Sequence, residues 1–469
     1  MWSEPERLES ARCWVDANFA EARVEVGGDM SRAHVRQGLI IAAVAVMFTL
    51  YGVFARGHGL FPTNIVLKAN ELVYTAVNKA RHQGPASYYY IATASQPQAV
   101  IQHSPDRLAP GMTLVSGMGP NRAQYARLVD ERGQVLHSWR LDWNHIWPHP
   151  THLRAADLPY GGAGVLSLGA QVSEKGDLTI NFEQLGMVQL DVCGNVNWRL
   201  AKQANHSLFR DEAGNLWTQE LVERRTQREG LPNYRIPFEE HFVLEVSPQG
   251  KVLRRISVMN LLRDNGYVGL LFMKSSDTWS TEVSGDTLHI TSIAVFPSSM
   301  KSGTFKPGDV LLSLNAINTV IVFDPKTMLV KASLTGRFLR QADANFVDGD
   351  TITIFDNHQV TPDRVNGSSR ILEHSFRTGA DRVIFQGDAV HPFFTPAFGR
   401  HQRLSNGDIL LTESTKGRVL EIDRNGGLVW EYFNVTGPRT LGFVEEGERV
   451  PLTTLTPERL KQLAAACPA

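Results

Sequence analysis

Residues 407–434, GDILLTESTKGRVLEIDRNGGLVWEYFN, read as one unit of antiparallel sheet. A strand from Ile409 to Glu413 ends at a polar turn, Ser414 to Gly417. A second strand alternates Val419, Glu421 and Asp423 against Arg418, Leu420 and Ile422. Asn425-Gly426-Gly427 then supplies a turn in which positive φ is cheap, and Leu428 to Tyr432 returns as a third strand.

The unit recurs. Asp130 to Gly133 leads into Val135 and Trp139, and Asp191 to Gly194 into Val196 and Trp198. Ser247 to Gly250 leads into Val252, Asp324 to Thr327 into Leu329, and Arg377 to Gly379 into Val383 and Phe385. Asp423 to Gly426 completes the set. Beginning at 130, 191, 247, 324, 377 and 423, these turns are spaced somewhat more widely than the roughly 40–50 residues of common propeller repeats. Glycines that open a strand stand beside several of them: Gly214, Gly308, Gly349 and Gly407. Six repeats of a short meander predict an all-β fold, a six-bladed β-propeller over residues 111–440. An irregular β-sandwich would use similar hairpins, but six turns from six blades is the simpler account.

The chain of 469 residues has a formal net charge of −1, which excludes bulk electrostatic attraction to nucleic acid. Residues 1–37 are polar, with arginines interleaved among glutamates, and read as a cytoplasmic segment. Residues 38–55, GLIIAAVAVMFTLYGVFA, carry no charge. As a helix this run is roughly 27 Å long against a hydrocarbon core of about 30 Å, so it is expected to be a single transmembrane helix. The polar lead is too long for a cleaved signal peptide. Arg23, Arg32 and Arg36 precede the run, while Arg56 and Lys68 follow it. This bias predicts an inner-membrane protein with its N-terminus inside and its propeller on the periplasmic side.

Residues 56–110 form a stalk and linker. In them Ile65, Ala69, Leu72 and Ala76 recur at helical spacing, a face fit for a membrane protein partner. Residues 441–469 read as a C-terminal extension with a short helix that starts at the cap sequence Thr456-Pro457-Glu458. The three cysteines, Cys13, Cys193 and Cys467, make no redox motif. Under this topology Cys193 and Cys467 share an oxidising compartment, where pairing is open to them.

Residues 137–152, HSWRLDWNHIWPHPTH, concentrate four histidines and three tryptophans. Three uses suit such a segment: a zinc site, rim packing, or the wall of a central pocket. Two prolines and the lack of a helical HxxxH register weigh against zinc, and no metal ligand is assigned. Other polar residues track the repeat: Asn205-His206-Ser207, Asp286 to His289, Arg370, and Gly399-Arg400-His401. Because equivalent ends of successive blades converge on one mouth of a propeller, such positions meet in space though far apart in sequence.

The sequence resembles the arylsulfotransferase family. The likeness is carried by QRLSNGDILLTESTKGRVLEIDRNGGLVWEY (402–432) and supported by LDVCGNVNWRLAKQANHSLFRDEAGNLW (190–217), GDTLHITSIAVF (285–296), FKPGDVLLSLNAINTVIVFDP (305–325) and FVDGDTITIFDN (346–357). The resemblance implies a propeller outside the cytoplasmic membrane. It also implies transfer of a sulfuryl group between phenols through a histidine nucleophile, with His and Arg neutralising the sulfate oxygens and no cofactor or nucleotide-type donor. Carried over by motif, the functional positions are His206, His289, Arg370 and, as nucleophile, His401. Thr291 and Ser292 stand where the family has Asn and Asp. Ala342, between Gln341 and Asp343, stands where the family has His. This last departure removes one donor from the expected anion cluster. Two main readings therefore stand: a sulfotransferase-like enzyme, or a catalytically inactive membrane-anchored propeller acting as scaffold or accessory subunit. Another ligand-binding or hydrolytic role is a third.

Overall fold

The computed structural model describes residues 39–51, 90–93, 95–159, 165–275, 279, 281–360 and 367–468. The chain divides into two compact units, Met1–Asn78 and Lys79–Ala469. In the first, residues 39–51 form a helix whose side chains are all exposed, and Thr49 Oγ1 donates to the Ala45 carbonyl at 2.9 Å. Among the described residues no helix is long and apolar enough to cross a membrane. The rest of the run at 38–55, the polar segment before it and the stalk residues 64–80 lie outside the described residues.

The second unit is a ring of six antiparallel blades. From channel to rim, blade 1 comprises Val444–Val450, Met112–Met118, Gln124–Val129 and Val135–Leu141. Blade 2 comprises Ser167–Val172, Leu178–Phe182, Gly186–Leu190 and Val196–Leu200. Blade 3 comprises Ala204–Arg210, Leu216–Arg224, Tyr234–Val246 and Val252–Ser257, with Val283–Asp286 added in parallel to the third strand. Blade 4 comprises Ile290–Val295, Val310–Leu314, Thr319–Asp324 and Leu329–Thr335. Blade 5 comprises Asp343–Asp348, Thr351–Asp356, Arg370–Ser375 and Asp381–Gln386. Blade 6 comprises Arg400–Arg403, Ile409–Glu413, Arg418–Ile422 and Leu428–Phe433, with Val100–Gln102 as a fifth, outer strand.

All six turns read from the sequence fall at one structural position, between the third and fourth strands of a blade. Their chemistry is local. The Asp423 carboxylate accepts from the amides of Asn425 at 2.7 Å and Gly427 at 2.9 Å, while Gly426 takes a φ of 83° that an L side chain rarely adopts. Asp130 and Asp191 repeat the same acceptance.

The ring is closed by the chain's last strand. Val444–Val450 pairs with Met112–Met118 and forms the innermost strand of blade 1, so the propeller extends past the expected boundary at 440. Two features hold this closure. Arg449 Nη2 pairs with Glu421 Oε2 of blade 6 at 2.9 Å, both side chains almost fully buried. Beyond the strand, the helix Pro457–Ala464, capped by Thr456, leads to a disulfide joining Cys467 to Cys193 in the outer turn of blade 2.

The histidine- and tryptophan-rich segment resolves as packing. Trp139, Trp143 and Trp147 are buried in the apolar cluster between blades 1 and 2, and His152 Nε2 lies 3.0 Å from the Leu185 carbonyl. In blade 3, Arg224 at the end of the second strand and Arg228 in the loop after it each reach Glu240 at 2.7 Å. Residues 268–271 form a short helix with Leu271 buried. Asn434, which matches a glycosylation pattern, is buried and donates to the carbonyls of Met118 and Gly442 at 3.0 Å.

Candidate functional site at the propeller mouth

Antiparallel strands that turn back on themselves put two kinds of connection at one end of the ring. These are the links between blades and the turns joining second to third strands. They enclose a cavity of about 400 Å³ whose walls include His206, His289, Asn315, Arg340, Ala342, Phe398, Arg400 and Glu445. Several of these residues hold backbone that non-glycine residues seldom adopt: φ is 45° at His206, 48° at His289, 59° at Arg340 and 61° at Phe398. Such conformations persist only where the surroundings impose them, and they gather at functional sites.

His206 sits in a bulge of the innermost strand of blade 3, where pairing with the second strand slips between Asn205 and Leu208. The bulge is supported on both sides. Asn181 Nδ2 donates to the His206 carbonyl at 3.2 Å, and the Asn205 side chain accepts from the His206 amide at 3.0 Å. Blade 2 makes room with Gly169, where a Cβ would lie 2.5 Å from the His206 carbonyl oxygen.

His289 immediately precedes the innermost strand of blade 4. Asp286 fixes it twice, accepting from its amide at 2.8 Å and contacting ring Nδ1 at 2.5 Å. The Asp286 carboxylate also lies 2.8 Å from Nε2 of the buried His241. The His289 side chain remains 41% exposed, so its far edge is open to the mouth. The rings of His206 and His289 meet edge to face, with centroids 4.9 Å apart.

The two imidazoles are driven in opposite directions. Burial lowers the His206 pKa well below its ordinary value, and the neighbouring His289 and Arg400 lower it further. His289 is raised: enclosure would lower it, but the Asp286 carboxylate outweighs that, with Glu239 and Glu183 adding to the effect. Asp286 is held well below the usual carboxylate range, since His241 and His289 overcome the cost of burying it. The pair is thus biased toward a neutral His206 beside a protonated His289.

The cations come from the links between blades. Arg400 opens the innermost strand of blade 6. It donates to the Thr291 carbonyl at 3.0 Å and lies 3.5 Å from Glu445 and 3.9 Å from Glu446. Burial would lower its pKa, but Glu446, Glu445 and Asp343 raise it, so it stays charged. Arg340 is a second cation in the wall.

Of the four residues expected to act, the structure brings His206 and His289 together in the mouth. His401 lies behind the wall. Its Nδ1 is 2.9 Å from Asp343 and its Nε2 is 2.8 Å from Thr353 Oγ1, with both ring nitrogens engaged and the side chain 2% exposed. Period-two alternation explains the outcome, because Arg400 and His401 necessarily face opposite sides of their strand. Arg370 does not line the mouth. It starts the third strand of blade 5 and is bound to the buried Asp356 at 2.8 Å. Sequence reasoning set Arg400 and Asp286 among the blade-entrance residues but gave neither a role, although the Asp-x-x-His spacing of 286–289 was a usable signal, and it missed Glu445. Among the described residues no group of three or more His, Cys, Asp or Glu side chains is arranged to hold a metal ion.

The family model described as "Arylsulfotransferase (ASST)" matches residues 170–435, more than half of the chain, and the chain belongs to that family. A search of curated proteins returns no match. Among solved structures, the chain is similar to a Bacteroides caccae protein of unknown function, at 12% identity over 71% of this chain and 98% of that one, with a TM-score of 0.43. The WD40 propeller domain of Doa1 is similar at 11% identity over 78% and 86%, with a TM-score of 0.35. A catalytically inactive variant of virginiamycin B lyase from Staphylococcus aureus, with quinupristin, is similar at 9% identity over 71% and 87%, with a TM-score of 0.35.

Proposed function

We propose that the mouth transfers a sulfuryl group from an aryl sulfate to a phenol, with His206 as the nucleophile. The observation that carries this reading is the edge-to-face pair of His206 and His289, 4.9 Å apart and pushed in opposite directions of protonation. A neutral imidazole has a free lone pair for sulfur, whereas a protonated one beside it can release a proton to the leaving oxygen.

In the first half-reaction a ring nitrogen of His206 forms a bond to sulfur as the sulfur–oxygen bond to the aryl group breaks. The departing phenolate oxygen takes the proton from His289. The product is a phenol and an N-sulfated His206. In the second half-reaction an acceptor phenol gives its proton to the now neutral His289 while its oxygen bonds to sulfur. The sulfur–nitrogen bond breaks and both histidines return to their starting states. Arg400 and Arg340 offset charge on the sulfuryl oxygens. Asp286 holds His289 in the orientation and charge this cycle requires. Phe398, with Pro396 and Ala397, gives the wall an apolar face for an aromatic ring.

The test is turnover of a chromogenic aryl sulfate with and without a phenol acceptor, comparing the unmodified protein with His206→Gln and His289→Asn. Acceptor-dependent turnover lost in both variants supports the reading. Full activity in His206→Gln would refute it. No turnover by the folded, unmodified protein would favour the scaffold reading, with a membrane protein as partner.

We further propose that residues 38–55 anchor the chain in the inner membrane with the propeller on the periplasmic side. The uncharged run and the basic bias before it support this, and the Cys193–Cys467 disulfide suits an oxidising compartment. Release of the protein by alkaline carbonate, or protection of the propeller from protease added to spheroplasts, would overturn it.

A further inference from the structure

The proposed sulfuryl transfer leaves Glu445 in the mouth without a role. Glu445 belongs to the closing strand of blade 1 and is 1% exposed, yet it lines the cavity across the ring from His206 and His289. Its Oε1 lies 3.5 Å from Arg400 Nη2, a loose contact for a buried ion pair, and its Oε2 has no hydrogen-bond partner. A buried carboxylate oxygen left unpaired is costly, whereas a neutral carboxylic acid in the wall of an anion site brings a donor to it. Its position is imposed by the strand, since pairing with Met112–Met118 slips between Val444 and Glu446 and places Glu445 in the bulge.

We propose that Glu445 recognises the sulfuryl group as a neutral carboxylic acid: its carboxyl turns so that its O–H donates to a sulfuryl oxygen while Arg400 turns from Glu445 to the same anion. This supplies a donor in the mouth where Ala342 offers none. It rests on the reading of the mouth as a sulfuryl site and adds to it a coupling between anion binding and proton uptake. If Glu445 is ionised beforehand, binding takes one proton from solvent onto its carboxylate, and no other bond changes. The charged groups around Glu445 are compatible with a held proton. Burial pushes its pKa up; Arg400 of blade 6 opposes this, Glu446 on its own strand and Glu183 of blade 2 reinforce it, and the result is about 8. Glu446 is itself raised to about 7, chiefly by burial.

The experiment is titration calorimetry of the full chain in detergent, with 4-nitrobenzenesulfonate as probe, because the site cannot break its carbon–sulfur bond. Binding is measured at about pH 6.5 and about pH 9, each in two buffers of different ionisation enthalpy, so that proton uptake is read directly. At the higher pH the unmodified protein is expected to take up about one proton more than Glu445→Gln. Glu445→Gln, which keeps a donor but cannot ionise, is expected to bind roughly tenfold more tightly than the unmodified protein there and about equally at the lower pH. Equal proton uptake by the two proteins, or a tenfold loss of affinity in Glu445→Gln at both pH values, would overturn the proposal. If Glu445→Gln does not fold, His289→Asn and Glu446→Gln carry the test. Each must retain the uptake, and its disappearance in either assigns the proton elsewhere and overturns the proposal. Absence of binding to every folded protein at both pH values would instead remove the sulfuryl reading of the mouth, and this inference with it. Binding without coupled protonation removes this inference alone.

Discussion

Replacing Asp286 with Asn separates the charge that holds His289 from the hydrogen bonds that orient it. Asp286 contacts His289 Nδ1 at 2.5 Å and the His289 amide at 2.8 Å, and an asparagine oxygen can retain one of those contacts. What is lost is the attraction between a carboxylate and an imidazolium. With charge centres about 4 Å apart and an effective dielectric of about 20, that attraction is about 4 kcal/mol. Solvent in the open mouth reduces it, since the His289 side chain is 41% exposed, and about 2–3 kcal/mol is a fair residue. The expected consequence is a roughly 10²-fold fall in kcat/KM, within the range for loss of a general acid.

The pH profile gives the sharper signature. The proposed cycle needs His206 neutral and His289 protonated, so kcat/KM for the unmodified protein should be bell-shaped. Its acid limb belongs to the lowered His206 and its alkaline limb to the raised His289. Asp286→Asn should move the alkaline limb to lower pH. Stability follows by linkage. The raised His289 contributes stability that is full below its unfolded value near 6.5 and lost as pH rises through the folded value. The variant's melting deficit should therefore be larger at mildly acidic pH than at alkaline pH. The assay is initial-rate turnover of a chromogenic aryl sulfate with a phenol acceptor across this range. Activity within about threefold of the unmodified protein, with the alkaline limb unmoved, would refute the role given to the Asp286–His289 pair.

Further outcomes follow from the same structure. His401→Ala should lower stability by about 3 kcal/mol, because it strands the buried Asp343 carboxylate, which His401 and Arg400 hold down to about 2 against its burial. His206→Gln should leave the melting temperature nearly unchanged while removing turnover, so the two variants separate fold from chemistry in parallel thermal and kinetic measurements. Arg449→Met should cost about 3–5 kcal/mol by leaving Glu421 buried without its partner at 2.9 Å, read as a lower denaturant midpoint, and Arg449→Met combined with Glu421→Leu should recover most of it. Cys467→Ser opens a link between positions 274 residues apart; it should lower stability by about 2–4 kcal/mol while the mouth stays active at low temperature.

The blades were legible because their turns are local chemistry. In three of the six an Asp accepts amides two and four residues ahead beside a positive-φ glycine, and all six turns lie between third and fourth strands. The closing strand was not legible for an equally physical reason. Val444-Glu445-Glu446-Gly447-Glu448-Arg449-Val450 faces a polar channel and buried ionic partners, so it lacks the apolar alternation that marks an ordinary strand. His206 and His289, singled out by motif, meet in the mouth because blade entrances converge. Arg400 lines the mouth while His401, the nucleophile that the resemblance implied, lies behind the wall, because a one-residue shift in a strand reverses which side chain faces the mouth and the sequence does not record the phase. Glu445 depends on a bulge in the same closing strand and left no signal of its own.

The central claim is that sulfur is carried on His206. The most direct test is to mix the protein with an excess of aryl sulfate in the absence of acceptor, quench rapidly, digest at alkaline pH and map the peptides by mass spectrometry. The expected result is a burst of released phenol and one SO₃ unit on the peptide bearing His206, discharged when a phenol is added and absent from His206→Gln. SO₃ on His289 or His401, or phenol released with no modified peptide at any quench time, would contradict it.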